Sequence, residues 1–437
     1  MRVTFITLGC KVNHYETQAL KALFDHEGYQ LVSEEESADV CIINSCSVTN
    51  IADRKSRQAI RKFKRMNPEG IVAVTGCYAQ VGTEDLQNMP EVDIIAGTNE
   101  KTSLPELIRR FQDEKTRQTR VDEYRELGRF DEMGIVEAME GRTRAYIKIQ
   151  EGCNRFCSYC IIPFARGPVR SRREEDILEE AKRLIGSGYR EIVLTGINTA
   201  LYGSEEDGEP KLDRLIGKMN ALPGDFRIRL SSLEPTVINA DYVRRLLPYE
   251  KLCHHVHLSI QSGSDKVLKD MNRRYDREEY LEIVRTLTEF DPDYGISTDI
   301  IVGFPGETEE DFEGSVSITR QCGFCKVHVF RYSPRKGTLA AARKDQISSK
   351  IKNDRSAVLM EEGEAASTRF ILQNQDKTRR VLFEEYLPEE GLVTGHTDNY
   401  LKIYVPASPE ETGGLLNTFR NVRIGKQYLD GAEGILI

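Results

Sequence analysis

The chain has 437 residues, a formal net charge of −9 and ten cysteines, so it is too long for one ordinary domain, and about two to four are expected. No apolar run reaches the roughly 18 residues of a membrane span, and the start MRVTFITLGC predicts a strand instead of a signal peptide, so a cytoplasmic protein without membrane contact and with free or metal-bound thiols is expected. The total charge neither supports nor excludes nucleic-acid binding, which would have to be local.

Residues 1–112 alternate short apolar strands with helical patterns, which is typical of an open parallel α/β sheet. The predicted strands cover residues 3–8, 39–44, 71–75 and 93–97. Residues 113–140 are dense in charge and show little pattern, so we predict a linker there.

The same alternation resumes in residues 141–372. Predicted strands cover residues 146–150, 191–196, 226–231, 255–260, 297–303 and 326–332. A complete TIM barrel needs eight such units, so we expect an incomplete (βα)6 barrel. Residues 373–437 contain short strands separated by turn signals and predict a small closed antiparallel β-barrel.

Residues 153–160 read CNRFCSYC, directly after the first predicted strand of the central barrel. Chemistry in such barrels gathers at the carboxyl ends of the strands. Iron–sulfur clusters and structural zinc sites both normally take four protein ligands. No fourth ligand with similar spacing lies nearby, so Cys153, Cys157 and Cys160 are predicted to hold a [4Fe–4S] cluster with one open iron. Half of a zinc site is the alternative.

Three further cysteines, Cys10, Cys46 and Cys77, each follow a predicted strand of the first domain. Ligand sites of open α/β sheets lie at that edge, and helix N-termini there favour thiolates. The three could hold a second cluster, or they could be buried structural thiols. Cys41 lies inside a predicted strand and is expected in the core.

Two other groups of possible metal ligands are interpreted as structural. Cys322 and Cys325 form a C-x2-C pair with no second pair to complete a site. Cys253 precedes His255 and His257, which share one face of a strand, but no third ligand is evident.

Basic residues form two runs. The run at residues 54–65 is interpreted as a solvated helix face, and the run at 165–173 as a contact for phosphates because it follows the cysteine triad. Scattered cations of the C-terminal barrel predict the main RNA contact. They are Lys377, Arg379, Arg380, Lys402 and Lys426.

The motif CNRFCSYC resembles the signature of radical S-adenosylmethionine (SAM) enzymes, and the whole chain resembles the methylthiotransferase family. Members have a three-cysteine domain, a radical SAM barrel and a C-terminal TRAM barrel, in the order seen here. The resemblance is strongest to members that act on N6-threonylcarbamoyladenosine in tRNA. It is carried by TLGCKVN, NSCSVTN, VTGCYAQ, KIQEGCNRFCSYCIIPFARG, LTGIN, SIQSGSDKVLKDMNRRY and GFPGET.

This resemblance implies a reaction and its cofactors. A methylthio group would replace the C2 hydrogen of threonylcarbamoyladenosine 37, in the anticodon stem-loop of tRNA. Two [4Fe–4S] clusters would take part: one SAM methylates sulfur at the auxiliary cluster, and a second yields the radical that activates the base. An electron donor such as flavodoxin or ferredoxin is implied, and the sulfur donor is left open.

The resemblance also implies residue roles. Cys10, Cys46 and Cys77 would bind the auxiliary cluster, and Cys153, Cys157 and Cys160 the SAM cluster. Contacts to SAM and the nucleoside are expected from Tyr159, Thr195, Gly196, Asn198, Glu234, Gln261 and Gly303. For Glu234 and Gln261 the alternative is a satisfied structural polar group. Substrate contacts are expected from Arg166, Arg170, Arg172, Arg173, Lys377, Arg379 and Arg380, with one of the first four binding the threonylcarbamoyl carboxylate.

Two alternatives stay open at this stage. The same chemistry could act on isopentenyladenosine in tRNA or on an aspartate of a ribosomal protein. A non-enzymatic iron–sulfur protein that binds RNA belongs to a different class, and a test of SAM cleavage by the reduced protein separates it from an enzyme.

Overall fold

The computed structural model describes residues 1–124, 127–128, 130–134, 143–205 and 207–437. Its first layer is a six-stranded sheet in the order β2-β1-β3-β4-β5-β6, in which every neighbouring pair is parallel. The strands are β1 Arg2–Thr7, β2 Gln30–Leu31, β3 Val40–Ser45, β4 Ile71–Gly76, β5 Ile94–Ala96 and β6 Gln118–Arg120.

Helices cover both faces of this sheet, which explains why β3 and β4 are buried along their whole length. The side chain of Thr49 begins α2 by accepting a hydrogen bond from the Ala52 amide at 3.2 Å. The helices of this layer are α1 Lys11–His26, α2 Asn50–Met66, α3 Cys77–Val81, α4 Thr83–Gln87 and α5 Leu104–Glu114.

The central part is a partial barrel of parallel strands in two sheets, ordered β11-β10-β7 and β12-β13-β14-β15. A parallel bridge between Ile228 and Leu252 joins the two sheets, and a short antiparallel ribbon of β8 and β9 lies beside them. The strands are β7 Arg144–Lys148, β8 Gln150–Glu151, β9 Arg170–Ser171, β10 Glu191–Thr195, β11 Arg227–Leu230, β12 Ser232–Leu233, β13 His255–Leu258, β14 Gly295–Val302 and β15 Lys326–Arg331.

Helices surround the outside of the partial barrel and enclose the largest apolar core. Two of them begin with capping boxes, formed by Asp276 with Glu279 and by Thr308 with Asp311. The helices are α6 Ile162–Arg166, α7 Glu174–Gly186, α8 Leu212–Asn220, α9 Ala240–Leu246, α10 Asp265–Asp270, α11 Arg277–Phe290, α12 Glu309–Cys322 and α13 Ser349–Asn374.

The C-terminal strands close into a barrel in the order β16-β17-β18-β20-β19. The prediction of an antiparallel barrel needs one correction, because β18 and β20 pair in parallel. An odd number of strands cannot alternate in direction all the way round a closed ring, so one parallel pair is forced. The elements are β16 Thr378–Leu387, β17 Leu392–Thr397, β18 Lys402–Pro406, α14 Pro409–Leu415, β19 Phe419–Tyr428 and β20 Gly431–Leu436.

The α/β fold class and its three parts are confirmed, while the predicted linker at 113–140 differs in detail. Helix α5 extends into it, and β6 adds a sixth strand to the first sheet. Residues 125, 126, 129 and 135–140 of the predicted linker lie outside the described residues. No helix in the described part of the chain is long and apolar enough to cross a membrane.

Candidate cluster and substrate site

The three N-terminal cysteines meet at the carboxyl edge of the first sheet. Cys10 is the residue before α1, Cys46 follows β3 and Cys77 begins α3 after β4. Gly9 has a φ of +109°, and a Cβ at this position would lie 2.9 Å from the Cys46 sulfur. A glycine is therefore required for the first strand to approach the second cysteine this closely.

The electrostatics of these thiols show that they are neighbours. Burial raises the pKa of Cys46 to about 12, and the proximity of Cys77 and Cys10 acts in the same direction. Burial also raises the pKa of Cys77, while the charge of Arg166 opposes it. These cysteines are far apart in the sequence. They come together because each follows one of three neighbouring parallel strands.

The second triad lies on the loop between β8 and α6, and its three cysteine residues are partly exposed. The amide of Cys160 donates to the carbonyl of Cys157 at 2.9 Å, which folds the loop into a turn. Burial raises the pKa of Cys153 to about 11, with a smaller contribution from Cys157. Arg273 Nη1 donates to the Cys157 sulfur at 3.2 Å, so a cation is available to stabilise a thiolate here.

Both triads offer the donor type that an iron–sulfur cluster takes. Among the described residues, no group of three or more His, Cys, Asp or Glu side chains is placed to hold one metal ion. Ligands of separate irons stand further apart than the four ligands around one tetrahedral ion. Each set offers three thiols, and a [4Fe–4S] cluster held by three thiolates would have one iron without a protein ligand.

Unpartnered polar atoms surround the end of the barrel strands beside the second triad. Asn198 Oδ1, Ser231 Oγ and Glu234 Oε2 are buried and have no hydrogen-bond partner among the described residues. Glu234 Oε2 lies 3.1 Å from Arg155 Nε, on the loop between Cys153 and Cys157, so its charge is balanced at the cluster loop. Buried groups without partners are expected where a ligand supplies them, and Asn198 was predicted to contact SAM. Glu234 was predicted to do so too, but its Oε2 already has Arg155 beside it.

Three other predicted contacts to SAM or the nucleoside are Tyr159, Gln261 and Gly303. Tyr159 is packed against the small core around Phe304. Gln261 follows β13 with a φ of +70°, an uncommon conformation for this residue type. Gly303 has a φ of +71°, and a Cβ there would collide with the side chain of Lys352. The glycine therefore accommodates the side chain of Lys352 on α13, and its contact with the nucleoside stays a prediction.

A chamber of about 640 Å³ opens between the first triad and the interior of the partial barrel. Cys10 and Lys11 line one wall, and Thr195 and Gly196, both predicted SAM contacts, lie at the end of β10 on another. The rest of the lining is Gly9, Val12, His14, Arg229, Leu230, Ser231, Ser232, His255, His257, Ser297, Asp299, His328, Phe330 and Tyr400.

Arg166 is the centre of a buried network between the first sheet and the barrel. Its Nε donates to the Cys77 sulfur at 3.2 Å, and Nη1 contacts Glu16 Oε1 at 2.5 Å and Glu151 Oε1 at 2.6 Å. Lys148 joins the same two carboxylates at 2.8 Å and 2.5 Å. Burial alone would raise the pKa of Glu16, but the charges of Arg166, Lys101 and Lys148 hold it well below its usual range.

This network narrows the prediction that one of four arginines binds the substrate carboxylate, which stays a prediction. Arg166, Arg170 and Arg172 are buried and lie beside Glu151, Glu16 or Glu180. They are therefore committed to partners inside the protein. Only Arg173, with 76% of its side chain exposed, is open to a ligand.

Three of the predicted RNA contacts of the C-terminal barrel form ion pairs with the central part. Lys377 Nζ and Arg379 Nη2 lie 2.6 Å and 2.9 Å from Asp293 of the central part. Arg380 pairs with Asp225 at 2.5 Å and stays half exposed. All three cations thus fasten the small barrel to the central part, and Lys377 and Arg380 keep about half of their side chains exposed while Arg379 is largely covered.

The four cysteines outside the two triads are buried. Cys41, Cys253, Cys322 and Cys325 are buried thiols in the described structure, as expected for structural positions. The chamber residues Lys11, Asp299 and His328 were not singled out from the sequence, although Lys11 directly follows a predicted ligand. For Asp299 and His328, the only signal was their inward position on predicted strands.

Comparison with known proteins gives the same outline. A family model described as the radical SAM superfamily matches residues 147–317, and one described as uncharacterized protein family UPF0004 matches residues 2–97. The chain is also similar in fold to a solved radical S-adenosylmethionine methyltransferase, TsrM from Kitasatospora setae, with a TM-score of 0.57, 15% identity and 76% of each chain covered.

Curated relatives match over almost the whole length. The threonylcarbamoyladenosine tRNA methylthiotransferase MtaB of Bacillus subtilis is 39% identical, with 98% of this chain and 95% of the relative covered. The tRNA-2-methylthio-N(6)-dimethylallyladenosine synthase of Carboxydothermus hydrogenoformans is 34% identical, with 99% and 98% covered. The chain therefore belongs to the methylthiotransferase family of radical SAM enzymes.

Proposed function

We propose that this enzyme transfers a methylthio group to C2 of N6-threonylcarbamoyladenosine 37 in the anticodon stem-loop of tRNA. The observation that carries the proposal is the shared chamber, because Cys10 of the first triad and the predicted SAM contacts Thr195 and Gly196 line the same space. The 39% identity to a relative with that named activity supports the choice of substrate.

The proposal assigns one [4Fe–4S] cluster to each cysteine triad. Cys153, Cys157 and Cys160 would hold the cluster that serves SAM, and Cys10, Cys46 and Cys77 the cluster that serves sulfur. When bound, these groups would supply the one-electron chemistry that an aromatic C2–H bond requires, since that hydrogen is not acidic enough for a base. Arg273 and Arg166 donate to one thiol of each triad and stabilise it as a ligand.

The domain division predicted from the sequence belongs to the same proposal: residues 1–112 for the auxiliary cluster, 141–372 for SAM and 373–437 for RNA. Transfer of the electron from a flavodoxin or ferredoxin is part of it too. The buried ion pairs around Arg166 fix the first sheet against the barrel, so the two triads keep a constant relative position. A fixed geometry is what transfer between two bound groups needs.

An isopentenyl substrate is the alternative that relatives support, and the chamber argues against it. Its lining includes Lys11, Ser231, His255 and His328, which suit a polar substituent better than an apolar tail. A site that hydrogen-bonds polar groups rejects an analogue that lacks them, because its own groups stay unpaired. We therefore expect strong preference for threonylcarbamoyl over isopentenyl stem-loops in turnover assays with the intact enzyme, and equal turnover would contradict the proposed substrate.

RNA affinity is expected to depend on exposed cations of β19. Arg423 and Lys426 are exposed, and no ion pair in the described part of the chain involves them. Replacing both with alanine should weaken binding of tRNA and lower the slope of log affinity against log salt by about 1.4 to 1.8, which is the loss of two phosphate contacts. Fluorescence anisotropy over a range of salt concentrations measures this slope.

The matched control replaces Arg109 and Arg110 with alanine. Both are exposed arginines on helix α5, which packs on the first sheet. This control removes the same charge from the opposite end of the chain and should leave the slope unchanged. Equal slopes for wild type and the β19 variant would show that this strand does not contact the RNA backbone.

A further inference from the structure

We propose that Lys11 binds the carboxylate of the threonylcarbamoyl group and so determines which modified adenosine the enzyme accepts. The inference rests on the proposed function and adds the residue that recognises the substrate. Lys11 is the first residue of α1, directly after Cys10, and it lines the chamber.

A lysine at the position of Lys11 does not stabilise the helix that it begins. The first turn of a helix carries a partial positive charge, which favours acidic residues and disfavours a cation. The first turn of α1 contains no acidic residue to compensate for Lys11. The side chain is exposed, and no ion pair in the described part of the chain involves it. A residue that opposes the local charge preference of its helix without compensation is typical of a functional position.

Other cations of the chamber are already committed. Arg229 is the second arginine or lysine in the described lining, and it lies 2.9 Å from Glu191 while also donating to the carbonyls of Thr397 and Asp398. His257 is 3.0 Å from the carboxylate of Asp299. Of the lysine and arginine side chains in the described lining, Lys11 is therefore the one whose charge is available to an anionic substrate.

Neutral groups in the chamber complement the rest of the substituent. Burial lowers the pKa of His255 well below its ordinary value, and burial also lowers that of His328, so both rings are neutral near pH 7. His255 Nδ1 and Ser231 Oγ are buried and have no hydrogen-bond partner among the described residues. Both line the chamber, so they can pair with the urea and hydroxyl of the substituent.

The geometry thus matches the chemistry of this substrate along its length. A threonylcarbamoyl group carries a urea next to the base and a carboxylate at its far end. Lys11 offers the positive charge, and Ser231 and His255 offer hydrogen-bonding atoms that the folded chain leaves unused. An isopentenyl group would leave all three without a partner.

The test uses two stem-loops that differ only in the carboxylate. One carries threonylcarbamoyladenosine at position 37, and the other carries the same nucleoside with its carboxylate converted to the primary amide. Binding to the cluster-loaded enzyme is measured without SAM, so turnover does not contribute. Wild type should bind the carboxylate form about tenfold or more tighter, as expected for a charge-assisted hydrogen bond.

Variants at Lys11 give the decisive comparison. Lys11→Gln should bind both stem-loops equally, at the affinity that wild type shows for the amide, and Lys11→Arg should keep most of the preference. The matched control Lys326→Gln removes an exposed lysine outside the chamber and should keep all of it. Iron content of each variant checks that the neighbouring Cys10 still holds its cluster.

A full carboxylate preference in Lys11→Gln, with iron content equal to wild type, would overturn the inference. So would equal binding of the two stem-loops by wild type. Failure of the proposed function has a different signature, because wild type would then not methylthiolate the carboxylate stem-loop at all.

Discussion

Replacing Cys153, Cys157 and Cys160 together with alanine is expected to abolish SAM cleavage and leave one cluster in the protein. The converse triple variant, at Cys10, Cys46 and Cys77, should keep SAM cleavage and lose methylthio transfer. The reason is that the two triads belong to different sheets, so each set of thiols can be lost alone. Iron per chain and the release of 5′-deoxyadenosine measure the two outcomes.

Buried thiols outside the triads provide the control. Cys41 lies inside β3 and Cys322 at the end of α12, both in apolar cores. Replacing either with alanine should leave the iron content at the wild-type level, although the lost packing costs some stability. If either triple variant retained all of its iron, the assignment of ligands would be wrong.

Replacing Arg166 with leucine is expected to lower the free energy of unfolding by about 3–5 kcal/mol, the cost of breaking a buried ion pair from one side. The change leaves Glu16 and Glu151 buried with less positive charge, and it removes the donor to the Cys77 sulfur. Urea denaturation of the cluster-free protein measures the loss without a contribution from bound iron.

The exposed Arg173 is the matched control, because it lies on the same basic run but has 76% of its side chain in solvent. Its replacement with alanine should change stability by no more than about 0.5 kcal/mol. A loss below about 1 kcal/mol for Arg166→Leu would contradict the role of the network in joining the first sheet to the barrel.

The same network predicts how stability responds to acid. Burial alone would raise the pKa of Glu151, but Lys148 and Arg166 lower it to about 2. A depressed carboxyl pKa stabilises the fold above the ordinary value of about 4.3, and that stabilisation disappears as the pH falls towards the folded value. The free energy of unfolding should therefore decline between about pH 4 and pH 2 in wild type, and less steeply in Glu151→Gln at equal ionic strength.

The features of the site that are local in sequence were predictable. Cys10, Cys46 and Cys77 each follow the end of a predicted strand, and the parallel order of these strands brings their ends to one edge of the sheet. The same rule located Thr195 and Gly196 at the end of β10.

Features that depend on distant partners were not predictable. The sequence shows that Arg166 follows a cysteine triad, but not that Glu16 lies beside it from 150 residues away. A run of basic residues looks the same in the sequence whether it is solvated or part of a buried ion-pair network. The arginines of the run at 165–173 were therefore predicted to bind substrate. The short strands β2 and β6 were missed for a related reason, since two or three residues carry no measurable periodicity.

The central claim is that this enzyme modifies threonylcarbamoyladenosine 37 of tRNA, and nucleoside mass spectrometry of tRNA tests it most directly. Total tRNA is compared between cells that have the gene, cells that lack it, and cells that carry the Cys153→Ala variant. We predict that 2-methylthio-N6-threonylcarbamoyladenosine disappears in the second and third, with a matching rise in N6-threonylcarbamoyladenosine. An unchanged level of that nucleoside, or loss of the methylthio-isopentenyl nucleoside instead, would contradict it.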